Sequence, residues 1–329
     1  MKAFIQKVMV LAFCAVTSFA WTAGAQTTQL EEKTLPVGEF SSVSVTDDFE
    51  VTLVKGAYSV RVTSVKELAP YVQVYVRAKV LYIAYDEKSV PKDIKKLFKG
   101  RGAAEPVFRA VVCLPELNGV TLANNATLMS TDEFSGVNFE MSLGDKSQVK
   151  NLTLRAGNVT VNMKKNAQAA LNLKADNRME LNTDGNANLK LNGSAMELSM
   201  NAQGSSEVAV TGDFRTSTLS MAGSAKGVVS QKADKTLLQM GGSANLTLTG
   251  DAGQMNVRGE RNALVEANGF TVKNVEANLN GSARVNVTVT ELIDATLVGG
   301  SSLYYTGTPS IRIGKIIKST LAPYGATAK

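Results

Sequence analysis

Residues 185–225 read GNANLKLNGSAMELSMNAQGSSEVAVTGDFRTSTLSMAGSA, punctuated by the small triplets Gly185-Asn186-Ala187, Gly204-Ser205-Ser206 and Gly223-Ser224-Ala225. Between the triplets, apolar and polar residues alternate, as in Leu189-Lys190-Leu191 and Leu219-Ser220-Met221. Period-two alternation marks a strand with one buried face. Recurrence of such a unit about every 19–20 residues marks a repeat architecture, because no single unit can bury that face alone. Stacking the units in parallel at about 4.8 Å lines up equivalent apolar residues as continuous internal columns. Glycine at the head of a triplet suits a turn with positive φ, and asparagine is the next best tenant.

The series extends in both directions. Before this stretch lie Asn124-Asn125-Ala126, Gly144-Asp145-Lys146 and Lys165-Asn166-Ala167. After it come Gly242-Ser243-Ala244, a degenerate Gly259-Glu260-Arg261, Gly281-Ser282-Ala283 and Gly300-Ser301-Ser302. Middle positions from Asn125 to Ser243 step by 20, 21, 20, 19, 19 and 19, and the three later steps are 17, 22 and 19. A second series at Gly157-Asn158, Asn177-Arg178 and Gly193-Ser194 predicts two or more short strands per coil, separated by tight turns. Stacked Asn and Ser at the middle position of the triplets would form side-chain ladders. Leucine-rich spacing and the Gly-Gly-x-Gly-x-Asp turns of calcium-binding repeats are absent.

The expected fold is therefore all-β: a parallel β-helix, a right-handed β-solenoid of about 20 residues per coil, over residues 120–310. Residues 311–329 would form a C-terminal cap or tail. Residues 26–119 also alternate, as in Val43-Ser44-Val45 and Val72-Gln73-Val74-Tyr75-Val76, and read as a strand-rich N-terminal cap or irregular first coils. A single helical turn is expected around Ile94-Lys95-Lys96-Leu97.

Residues 1–25 read as a secretory signal peptide. Lys2 and Lys7 precede an apolar run from Val8 to about Trp21, and Ala23-Gly24-Ala25 places cleavage ahead of Gln26. Cys14 follows Leu11-Ala12-Phe13, where the bulky Phe13 does not suit a lipidation site. The expected location is the periplasm, the cell surface or the medium, with no membrane span after cleavage.

Composition narrows the chemistry. The chain has no histidine, which removes His-based nucleophile pairs, His general bases and His-containing zinc sites. Cys113 stands alone beyond the signal, in the apolar run Val111-Val112-Cys113-Leu114, and reads as a buried inert thiol. No metal site, cofactor or catalytic set is expected. There are 35 Lys and Arg, two of them in the signal, against 29 Asp and Glu, a balance without a nucleic-acid footprint. The run Lys88, Lys92, Lys95, Lys96, Lys99 and Arg101 reads as a solvated loop or short helix.

An enzyme acting on polysaccharides is the alternative to weigh. A glycosidase needs two carboxylates roughly 5–9.5 Å apart. The candidates are Asp47-Asp48, Asp132-Glu133, Asp145, Glu197, Glu207, Asp213 and Asp251, and Lys164, Lys165, Lys190 or Arg215 offer a lyase base. They are scattered, and the sequence groups none of these bases with a carboxylate at a matching coil position. Tyr304-Tyr305 is the paired aromatic feature of the repeat region, read as a cap element or a ligand platform. Alternation should bury one ring and expose the other.

Three features together resemble the auto-transporter adhesin, head GIN domain family. They are Phe40-Ser41-Ser42-Val43-Ser44-Val45 with Phe49-Glu50-Val51-Thr52-Leu53-Val54-Lys55-Gly56, then Leu114-Pro115-Glu116-Leu117, and the recurring turns up to the closing run Ala295-Thr296-Leu297-Val298-Gly299-Gly300-Ser301-Ser302. The resemblance implies an exported β-helical domain and supplies no catalytic residues. The functional expectation is a non-catalytic, adhesin-like module of the cell envelope or medium that binds a polysaccharide or surface protein. An envelope-stress sensing domain is a further alternative.

Overall fold

The computed structural model describes residues 29–100, 103 and 105–325, so the export signal and Arg101 lie outside the described residues. The chain is a parallel β-solenoid. From Gln148–Met163 through Gln168–Thr183, Asn188–Ala202, Glu207–Met221, Lys226–Met240, Asn245–Gly259 and Leu264–Asn280 to Arg284–Val298, each coil is one long strand paired in parallel with the next.

Each coil contains one true turn. Where a second break was expected, the strand bends and continues, and near Gly157 and Asn177 the pairing is interrupted only by a local register shift. The bends are legible in the burial pattern, since Met196-Glu197 and Arg215-Thr216 both face outward in succession. A corner in a solenoid needs two outward residues, not a turn.

The turns stack as closely as the strands. The residue in the left-handed region is Asn124, Asp145, Lys165, Gly185, Gly204, Gly223, Gly242, Arg261 and Gly281 in successive coils. Its carbonyl accepts the N–H of the residue at the middle of the next turn, from Lys146 to Ser282, at 2.6–2.9 Å. The residue after each middle position points into the core and is always Ala or Ser: Ala126, Ser147, Ala167, Ala187, Ser206, Ala225, Ala244, Ala263, Ala283 and Ser301, all fully buried.

This alignment corrects three triplets by one or two residues. The equivalents are Asp145-Lys146-Ser147, Arg261-Asn262-Ala263 and Gly299-Gly300-Ser301. Middle positions then step evenly by 21, 20, 20, 19, 19, 19, 19, 20 and 18. The loosening after Ser243 arose from following glycine instead of the buried small residue. Lys165 and Arg261 hold positive φ in place of glycine, at 61° and 62°.

Inside, columns of like residues run along the axis. Leu191, Val210, Val229 and Leu248 are one, and Met200, Leu219, Leu238 and Val257 another. A polar knot interrupts them: the buried Gln231 amide donates to Ser217 Oγ and Thr236 Oγ1, each at 2.9 Å. Outside, the expected amide ladders are present, with Asn186 Nδ2 donating to Asn166 Oδ1 at 3.1 Å.

The N-terminal region combines a first coil with a cap. Ser42–Val45 and Glu50–Lys55, joined through Asp47 at φ 66°, pair in parallel with Gly119–Leu122 and Thr127–Leu143. On their other side lie Val80–Tyr85 and Phe108–Leu114. Val72–Arg77, Ser59–Val65 and Leu30–Leu35 then add in antiparallel fashion. The outermost strand, Leu30–Leu35, exposes Glu31, Glu32 and Lys33, and such charge discourages pairing with another chain. Cys113 is half-buried, not buried, because it falls on the outward phase of Phe108–Leu114. At the other end, Ser310–Ile317 exposes Ile311 and Ile313, which continue the columns of buried Ile293 and Ala295.

At Gly212 an added Cβ would land on the carbonyl oxygen of Gly193 in the preceding coil, whereas at Gly241 it would meet nothing within 4 Å. Gly212→Ala should therefore cost about 1–3 kcal/mol in urea unfolding. Gly241→Ala should stay within about 0.5 kcal/mol.

Candidate functional site

Outward side chains repeat once per coil, so any groove parallel to the axis is lined by columns. One such groove runs where the long strand meets the turn. Its sheet-side wall is the aligned column Asn162, Asn182, Asn201, Ser220, Gln239 and Arg258. The turn-side wall is Lys164, Asp184, Gln203, Ala222, Gly241 and Glu260. Two concavities of about 380 and 150 Å³ share Asn201 and Gln203.

The amides on the sheet-side wall are pre-ordered. Asn182 Nδ2 donates to Asn162 Oδ1 at 3.0 Å, and Asn201 Nδ2 donates to Asn182 Oδ1 at 2.9 Å. Charge in the groove is balanced, with Lys164 and Arg258 set against Asp184 and Glu260. No aromatic ring lines it. Recognition here would work through hydrogen bonds to polar groups along an extended partner.

A separate concavity, of about 370 Å³, lies in the cap. It forms where residues 86–100 leave the coil, carrying the helix Lys92–Leu97. Asp47, Asp48 and Glu87 line it together with Lys95 and Lys99, over Leu68, Tyr85, Phe98, Pro106 and Phe108. Asp47 Oδ2 accepts the Tyr85 N–H at 3.2 Å, and its Oδ1 accepts Asn124 Nδ2 at 2.7 Å. Asp48 Oδ1 accepts Asn125 Nδ2 at 2.7 Å. Burial pushes the Tyr85 phenol up, and Glu87, Tyr71 and Asp47 add to the effect.

The carboxylates weighed for catalysis are mostly engaged between coils. Asp145 pairs with Lys165, Glu197 with Arg178, and Glu207 with Lys226. Asp132 accepts the backbone N–H of Lys55, while Asp213, Lys232 and Asp251 alternate in one column. The expectation that no base would share a coil position with a carboxylate is overturned. Lys165 stacks on Asp145, and Arg215 on Asp234, 3.5 Å away. Parallel stacking puts equivalent residues side by side, so opposite charges one coil apart meet. These exposed pairs each contribute about 0–1 kcal/mol. Among the described residues, no group of Asp, Glu or Cys is arranged to hold a metal ion.

Tyr304 and Tyr305 are both half-buried, not one in and one out. Tyr305 packs on the core, and the Arg284 guanidinium lies 5.7 Å from the Tyr304 ring centre. The partial exposure of Tyr305 follows from its place near the open end, where just one short strand, Thr320–Pro323, covers it. The groove column was readable as Asn162, Asn182 and Asn201, spaced by the coil length. The cap cleft had no such signal, because Asp47 and Lys95 meet through an irregular excursion.

The family model described as "Putative auto-transporter adhesin, head GIN domain" matches residues 39–212 and 207–309, and the chain belongs to that family. A "putative adhesin" from Parabacteroides merdae ATCC 43184 is 16% identical, with 91% of this chain and 98% of that one covered and a TM-score of 0.39. A "putative adhesin" from Parabacteroides distasonis ATCC 8503 is likewise 16% identical, with 90% and 98% covered and a TM-score of 0.38. A "Putative lipid binding protein" from the same organism is 16% identical, with 90% and 97% covered and a TM-score of 0.34. No curated protein matches the chain significantly.

Ultraviolet titration should reveal a phenol ionising later than the ordinary value near 10, and that component should vanish in Tyr85→Phe. Stability contributed by the raised Tyr85 value is present below about pH 10 and is lost as pH rises through the folded value. Asp145 behaves oppositely. Its carboxyl is held low, first by the hydrogen bond from Lys165 and then by the Asn124 N–H. That stabilisation is present above about pH 4 and is lost as pH falls through the folded value, so Asp145→Asn should lose less stability on acidification.

Proposed function

We propose that this member of the head GIN domain family is an exported, non-catalytic binding module whose lateral groove holds an extended, hydroxyl-rich chain, a polysaccharide in the first instance. The observation carrying this reading is the column from Asn162 to Arg258. Six coils present polar side chains in line, and three of them are locked amides. An amide offers both donor and acceptor, which suits hydroxyl groups that are themselves both. Regular spacing along one axis favours a repeating ligand over a compact one.

Export is supported by the charge, apolar run and small-residue site of residues 1–25. No helix among the described residues is long and apolar enough to cross a membrane. Absence of catalysis is supported by the engagement of Asp145, Glu197 and Glu207 in inter-coil pairs. The adhesin description of the family agrees with a binding role.

Retention of soluble glycans in affinity electrophoresis tests the groove. Asn201→Ala and Arg258→Ala should each weaken retention about 5- to 10-fold, the loss of roughly one hydrogen bond or charge-assisted contact. Unchanged retention in both variants, or silence across neutral and acidic glycans, would overturn the assignment. N-terminal sequencing of the exported protein should begin at Gln26.

A further inference from the structure

The cap cleft is built unlike the groove. Its lining gathers three carboxylates and two ammonium groups together with Leu68 and the rings of Tyr85, Phe98 and Phe108. Opposite charges across so small a space would be expected to close on each other. They do not: among the described residues, no ion pair within 4.0 Å joins Asp47, Asp48 or Glu87 to Lys95 or Lys99. Lys95 is half-buried as well, so part of its hydration is already lost without a charged partner in return.

We propose that this cleft is a second binding site, for a small zwitterion with an apolar body, of the kind presented by a short peptide with free ends. Asp47 is already committed, with both oxygens accepting hydrogen bonds. Among the described residues Asp48 accepts one side-chain hydrogen bond, from Asn125 to Oδ1, and the Glu87 side chain is exposed. These two carboxylates take the ligand's ammonium group. Lys95 and Lys99 take its carboxylate, each through a charge-assisted hydrogen bond. The ligand's apolar side chain lies over Phe98 and Phe108 and closes on Leu68 at the floor.

A polyanion is disfavoured, because three carboxylates share the space with the two lysines. A metal ion is disfavoured too, because the carboxylates do not converge. The volume, about 370 Å³, lies at the lower end of the range of small-molecule sites, roughly 300–1,000 Å³. Asp47 and Asp48 also belong to the first turn of the stack, bonded to Asn124 and Asn125 of the next. The site therefore sits on the solenoid, and residues 86–100 supply Glu87, Lys95 and Lys99 to it.

Isothermal titration of the full mature chain with alanyl-phenylalanine tests this, set against its N-acetylated and C-amidated forms. Blocking either end should weaken binding about tenfold, as should Asp48→Asn, Glu87→Gln and Lys95→Met in the free dipeptide series. Asn201→Ala should leave dipeptide binding unchanged, which separates failure of this site from failure of the groove. Equal binding of free and blocked dipeptides, indifference to all three cleft variants, or no heat at millimolar dipeptide would overturn the proposal.

Discussion

The hydrogen bond from the middle residue of each turn to the left-handed residue of the turn before it holds the solenoid in step. Alternation rules out a one-residue slip, but strands alone would tolerate a slip of two, since it keeps the same face buried. A turn with one positive-φ residue does not. Its carbonyl points along the axis at a fixed place, and the buried Ala or Ser that follows fits just one position inside. Coil length is thereby held near 19 residues even where the left-handed position is filled by Lys165 or Arg261.

That constraint shapes everything outside the core. With one residue of each column per coil, like side chains stack, and the exterior becomes a set of stripes. Amide on amide gives the ladders at Asn162, Asn182 and Asn201; acid on base gives Asp145 with Lys165 and Arg215 with Asp234. Convergence of unlike groups from distant parts of the chain, which most active sites need, is hard to achieve on such a surface. Long polar grooves come readily. The cap escapes the rule because residues 86–100 leave the stack, and there unlike charges and aromatic rings line one cleft.

The fold was legible in particular residues. The alternation around Leu189 and Leu219 and the spacing of the Gly-Ser turns imply stacked coils, and the parallel pairing agrees. Where the reading slipped, it followed the more conspicuous residue. Gly259 and Gly300 read as heads of their turns, yet the equivalent turns centre on Asn262 and on Gly300 itself, with Ala263 and Ser301 buried behind them. The small buried residue was the better guide, because its volume is limited by packing, whereas the left-handed position tolerates Lys, Arg, Asn and Asp at modest cost. Tyr305 departs from alternation because it lies near an open end of the stack, whereas Cys113 obeys it, falling on the outward phase of Phe108–Leu114.

By itself the sequence determined the repeat, its strand character, the want of histidine chemistry and the family resemblance, since each is a matter of order and composition along the chain. The tertiary structure decided which side chains share a groove, which charges neutralise one another, and which concavity Asp48 and Lys95 line together. In the coils those neighbours are about 20 residues apart and follow from the period once it is correctly aligned. In the cap they depend on an excursion with no period at all, and only the folded chain brings them to one place.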